Sequence, residues 1–259
     1  MFAIYKKELR SYFTNALGYV YVGVFLAMSA TICCYTTLQA NSYKTANYFM
    51  FMLYAFIIIL PLLTMRLFAE EKKMKTEQLL LTAPVTITGM VLGKYLAAFT
   101  LFLGTVVASC VNFFPLYVLG FDQRAANETA STYKFIGVNT AQILGSLLGI
   151  ILVGAVFIAI GMFVSSLAEN QLSAAVITIA SLASMLVINI LTTTGSEEKG
   201  TRLIGNYFVR AALDWFSVFS RFGDFGYGIL DFASLLYYVS FAAIFIYLTI
   251  RVFEKRRWS

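Results

Sequence analysis

Histidine is absent from this 259-residue chain, and cysteine and proline occur only three times each. The first absence excludes a Ser–His or Cys–His nucleophile pair and any histidine-ligated metal. Cys33, Cys34 and Cys110 fall inside apolar stretches, not at metal-ligand or disulfide-framework spacing, and read as small packing residues. Charge is scarce too. Asp, Glu, Lys and Arg make up 12% of the residues against 60% hydrophobic ones, a balance outside the range of water-soluble domains.

What is present is six long apolar runs: Ala16–Leu38, Tyr48–Met65, Val91–Leu119, Thr140–Leu167, Leu172–Thr193 and Ser234–Ile250. Each supplies close to the roughly 20 apolar residues that a bilayer core of about 30 Å demands of a helix. The short alternating segments of a membrane barrel are missing. The expected fold is an all-α integral membrane protein, six transmembrane helices in one domain spanning 1–259. The first run is too long for a cleaved signal peptide and is expected to be retained.

Basic residues set the expected orientation. With both termini cytoplasmic, twelve of the nineteen Lys and Arg lie inside: Lys6, Lys7, Arg10, Arg66, Lys72, Lys73, Lys75, Lys94, Arg251, Lys255, Arg256 and Arg257. They hug span boundaries, as the positive-inside rule requires of a multi-pass cell-membrane protein. The same distribution argues against a nucleic-acid-binding stripe.

Four polar segments carry the functional information. In 1–15, Phe2, Tyr5, Leu9, Tyr12 and Phe13 recur at three- and four-residue steps, opposite Lys6, Lys7, Arg10 and Asn15. This predicts an amphipathic interfacial helix; the plainer alternative is a polar extension of the first span. The cytoplasmic loop 66–88 holds the only dense, mixed-sign charge cluster, followed by an apolar LLLTAPV that Pro84 would terminate as a helix. It reads equally as a short helix that plugs a partner's groove or as a solvated loop. In the external segment 194–233, an apolar stripe from Ile204 to Phe222 predicts a second interfacial helix, leading into a glycine-rich turn. Finally, Ser165–Gln171 forms a tight cytoplasmic turn between spans four and five.

The run Arg66–Pro84 with Gly93-Lys94-Tyr95 resembles the signature of ABC-2 type permeases, the membrane subunits of ATP-driven transporters. Glu70, Glu71, Thr76, Leu79, Leu80, Leu81, Thr82, Pro84, Val85, Gly93 and Lys94 fit it; Lys75 departs, standing where the family usually has glycine. The later stretch through Leu213-Asp214-Trp215, Phe222, Gly228, Asp231, Tyr237-Tyr238 and Glu254–Trp258 is similar to the branch containing gliding-motility and copper-maturation membrane subunits. The resemblance implies a pair of six-span permeases, homo- or heterodimeric, docked on two copies of a separate cytoplasmic ATPase that binds ATP and magnesium and drives export. It implies a coupling helix at Glu70–Thr82, with Glu70, Glu71, Lys73, Lys75, Thr76, Glu77, Leu80 and Thr82 toward the ATPase. Glu169 and Asn170 would supply a second, smaller contact.

This chain is expected to hold no catalytic residue, cofactor or metal of its own. Gly89–Lys94 lacks the P-loop spacing and is followed by Tyr95 where a hydroxyl on magnesium is needed. Asn112 in span three and Asn189 in span five are candidate path-lining residues, the alternative being interhelical hydrogen bonds. Ser109 and Asn112 precede an expected kink at Pro115, and Gly145 with Gly149 permits close helix approach. No charge deep in a span indicates an ion-coupled transporter. Two other readings remain: an ATP-driven mechanical or maturation complex that moves no substrate across, and an integral-membrane enzyme. For the enzyme the clustered external carboxylates are Asp214, Asp224 and Asp231, whose plain roles are helix capping and solvation.

Overall fold

A computed structural model describes residues 1–38, 45–75, 86–118, 140–193, 207–229 and 231–258, and no strand occurs among them. Six helices are long and apolar enough to cross a membrane: Ala16–Leu38, Ala46–Thr64, Ile87–Val118, Thr140–Leu167, Gln171–Thr193 and Phe232–Arg257. Hydrocarbon offers no partner for backbone amides, so each span satisfies them within its own helix. The chain is a multi-pass helical membrane protein.

In chain order, α1 is Phe2–Thr14, and α2 is Ala16–Cys33, ending in a wider helical turn over Cys34–Leu38. Next come α3 (Ala46–Thr64), the short α4 (Ala69–Lys73) and α5 (Ile87–Ser109). The path then runs through α6 (Thr140–Leu167), α7 (Gln171–Thr193), α8 (Tyr207–Phe216), α9 (Phe222–Gly226) and α10 (Phe232–Trp258).

Span four, α6, is the axis of the bundle. It packs on α3, α5, α7, α9 and α10, and 67% of its most apolar window is buried. Its glycines permit this. A Cβ on Gly154 would stand 2.2 Å from the Phe102 ring, and one on Gly161 2.2 Å from Thr64 Oγ1. Phe25, Phe56 and Phe102, from three helices, meet edge-on or tilted at centroid separations of 5.4 to 6.3 Å. In span three the expected kink is a tight turn over Cys110–Phe113, just before Pro115, whose missing N–H breaks the helical ladder.

At the end of the bundle carrying α8 and α9, the single helix expected from the stripe is two helices. α8 stops at Phe216, and Ser217, Val218, Phe219, Phe222 and Phe225 are buried in the bundle. Phe219 packs on Phe157, and Tyr238 donates to the Val218 carbonyl at 2.9 Å. The later part of the aromatic stripe, from Val218 on, therefore packs inward, while Phe208, Trp215 and Phe216 of α8 stay exposed. Gly145 and Gly149 receive it, since added Cβ atoms there would stand 2.8 Å from Gly228 Cα and from Phe225 Cβ. Gln142 and Ser146 then donate to the carbonyls of Gly226 and Phe225. Asp231 caps α10, accepting from the backbone N–H groups of Ala233 and Ser234 and from the Ser234 hydroxyl.

Candidate docking surface and the ion network beneath it

The segment leaving span two does not run free. Lys94, in the second turn of α5, is 1% exposed and reaches across to it. Its ammonium donates to the Leu67 carbonyl and to Glu71 Oε1, both at 2.7 Å, pairs with Glu8 of α1 at 3.3 Å, and lies 5.0 Å from the Phe68 ring centre. One buried cation thus joins three chain segments. A buried charge persists only when paired and hydrogen-bonded, and Lys94 meets that condition through two carboxylates and a carbonyl. Burial pushes the Glu71 carboxyl above its ordinary value, and the Lys94 charge offsets only part of that.

A second pair lies alongside. Arg66 binds Glu70 one helical turn on and donates through Nη2 to Ser11 Oγ at 3.2 Å. Its Nη1 is buried without a hydrogen-bond partner. A cavity of about 10 Å³ between Glu8, Ser11, Tyr12, Arg66 and Leu67 is large enough for one water. α1 meets this network with Glu8, Ser11 and Tyr12 while Ile4, Tyr5 and Leu9 pack on the core. Phe2, Lys6, Lys7, Arg10 and Phe13 stay exposed, so the predicted apolar face is shared between the bundle and its surroundings.

The turn between spans four and five packs against the same segment. Ser165, 1% exposed, accepts from the backbone N–H groups of Phe68 and Ala69 and donates to the Met65 carbonyl. Beneath these bonds Ala69, Ala168 and Ala174 form a small apolar cluster with Met65. The open carbonyls at the end of α6 are capped by cations from elsewhere. Lys72 donates to Leu167 and Ala168, and Arg256 of α10 donates to Ser166 at 2.7 Å. A helix C-terminus carries partial negative charge and unpaired carbonyls, which lysine and arginine satisfy.

Of the residues assigned to coupling, Glu70 and Glu71 turn inward, into ion pairs with Arg66 and Lys94. Lys73, Lys75 and Glu169 are exposed. Asn170 is also exposed, and its side chain accepts from Ser173 N, capping α7. Lys75 adopts φ 56°, the left-handed region that glycine favours, directly after α4. Thr76, Glu77, Leu80 and Thr82 lie outside the described residues, as does the LLLTAPV segment.

The candidate path residues are set apart from this surface. Asn112 donates to Ser29 Oγ at 2.7 Å, and Ser29 is hydrogen-bonded to Tyr48 at 2.9 Å, a bridge across spans one, two and three. Asn189 is half-buried in α7, its carbonyl accepting from Thr192 and Thr193. Among the described residues no cluster of three or more His, Cys, Asp or Glu could hold a metal ion.

Spacing did not reveal the hub. In the sequence Lys94 is a topology charge and part of Gly93-Lys94-Tyr95, Ser165 opens the four–five turn and Arg256 belongs to Glu254–Trp258, while Glu8 carries no motif; no spacing joins the four. One signal was available: Lys94 is the only charged residue in the apolar run Val91–Leu119. Neither family models nor curated proteins give a match to this chain.

Proposed function

We propose that this protein is the permease subunit of an ATP-binding-cassette transporter of the ABC-2 type, with both termini in the cytoplasm. The observation that carries this reading is the meeting, through Ser165 and Lys72, of two segments assigned separately to ATPase contact. Together they leave Lys73, Met74 and Lys75 exposed on one segment and Glu169, Asn170 and Leu172 on the other, Met74 and Leu172 being 66% and 76% exposed. A soluble domain seated there pushes on one fused platform instead of two independent loops. α1, in the role of an interfacial elbow helix, is tied to that platform by Lys94, so displacement of α4 is carried into α1 and span three together. In the paired complex this motion alters access to a path between two permease copies, with ATP and magnesium held by the partner chains.

Crosslinking tests the reading. Lys73→Cys and Glu169→Cys, each in a background with Cys33, Cys34 and Cys110 replaced by alanine, are expected to crosslink to a P-loop ATPase in native membranes. Phe2→Cys, on the exposed side of α1, serves as the off-surface control. Crosslinking of neither docking position, with the ATPase present in the membrane fraction, would remove the assignment.

A further inference from the structure

A groove of about 240 Å³ opens on the flank of the bundle, between α10 and the side of α5 and α6 that carries Tyr95, Leu152 and Ala155. Its α10 wall runs from Tyr238 to Ile246. Three alanines make the room: Ala155 on α6, with Ala242 and Ala243 on α10, stand where longer side chains would close it. The polar side-chain groups of its lining are two tyrosine hydroxyls, and both turn to backbone carbonyls. Tyr95 donates to Ala155 at 3.1 Å and Tyr238 to Val218 at 2.9 Å. The groove therefore asks for an apolar occupant. Val239 and Ala243 on its rim are exposed, so it is open to whatever surrounds the spans.

We propose that this groove holds one acyl chain of a membrane phospholipid. Every wall belongs to a membrane span, so what surrounds it is hydrocarbon. Its dimensions select a single chain. From Tyr238 to Ile246 the wall is roughly 12 Å long at about 1.5 Å per residue. That is the length of about ten carbons of an extended chain. A cavity of about 150 Å³ holds benzene, so about 240 Å³ scales to roughly ten carbons as well. A partner helix does not fit: at a diameter of about 10 Å, a stretch of that length fills roughly 900 Å³. A second copy could reach in only with a side chain. The acyl chain lies beside Tyr95, the residue after Lys94, and supplies van der Waals contact among spans three, four and six where their alanines leave a gap. The inference needs only a chain that spans the membrane, and is independent of the permease reading.

The test reconstitutes the full chain in phosphatidylcholine nanodiscs that include a phosphatidylcholine with a mid-chain diazirine on one tail, and maps photolabelled residues by mass spectrometry. Label on Leu152–Ala155 and Val239–Ala243 is expected to exceed that on the exposed Ile58, Val107 and Val176 of spans two, three and five about fivefold. Ala243→Phe, which fills the groove, should bring the two to parity, and the milder Ala243→Leu should fall between. Ile244→Phe, at an exposed site outside the lining, should leave the excess unchanged. Equal labelling of both regions in the unmodified chain means bulk lipid only and overturns the site, whatever the variants do. An excess that survives both filling variants overturns it too. Ala243→Cys, with Cys33, Cys34 and Cys110 replaced by alanine, is expected to stay unpaired on oxidation in native membranes. A disulfide-linked pair of chains assigns the groove to a second copy and overturns the lipid.

Discussion

Lys94 concentrates more of the structure's electrostatic organisation than any motif in the chain. Removing one partner of a buried ion pair leaves its counter-charge uncompensated, so Lys94→Met is expected to destabilise the protein by roughly 3 kcal/mol, with Glu8 and Glu71 stranded. Glu8→Gln is expected to do less, because Glu71 and the Leu67 carbonyl still hold the ammonium. Thermal unfolding in one detergent, compared across the three proteins, measures the order. Glu71 gives this site a pH dependence of defined sign. Its folded carboxyl is raised from the ordinary 4.5, so the folded state holds the proton more tightly than the unfolded chain. Its contribution is complete below about 4.5, declines as pH rises through the raised folded value, and is constant above it. Melting temperature relative to Glu71→Gln should therefore fall with rising pH across that window; a difference rising with pH contradicts the assignment. Lys75 offers an opposite case, an L-residue at φ 56° in a helix-terminating position. Lys75→Gly is expected to stabilise the protein by about 1 kcal/mol in the same assay.

Among the elements, the long spans were readable because hydrophobicity over some twenty residues reports its solvent directly, whatever the partners. α2 starts at Ala16, α6 runs Thr140–Leu167 and α7 ends at Thr193, as the apolar runs predicted. The segment after Phe216 was misread for the same reason. An aromatic stripe looks alike whether it lies at a membrane surface or packs against other helices. What separates the two is the presence of Gly145 and Gly149 on α6, far off in sequence, making room for Phe225 and Gly228. This predicts a graded outcome. Gly145→Ala and Gly149→Ala should each cost about 1–3 kcal/mol by overpacking, while Gly104→Ala, with nothing within 4 Å of its added Cβ, should not destabilise. The ion network was hidden from sequence for a related cause. Glu8, Glu71 and Lys94 are 63 and 23 residues from one another along the chain, and only the fold, which brings α1 and the segment after span two to Lys94, joins them. For Asn112 the hydrogen bond to Ser29 leads to an expected loss of about 0.6–1.7 kcal/mol in Asn112→Leu.

At the scale of the whole molecule, α6 forms the axis, and the end bearing α1, α4, the four–five turn and the tail of α10 forms one cross-linked platform. Ser165, Lys72, Lys94 and Arg256 are its ties, and each joins segments distant in sequence. Such a base suits a protein that receives force from a partner, because displacement at its surface is shared among several spans. Docking through exposed charges also implies salt sensitivity, since the Debye length shrinks from about 10 Å at 0.1 M to 3 Å at 1 M. ATPase retained in mild detergent at low salt should be shed in 1 M NaCl while the chain stays inserted. The central claim, that this chain is a permease worked by a separate ATPase, is tested most directly by the native mass of the complex isolated from its own membranes. The account predicts a species of two permease chains with two P-loop ATPase chains; a complex containing no ATPase would contradict it.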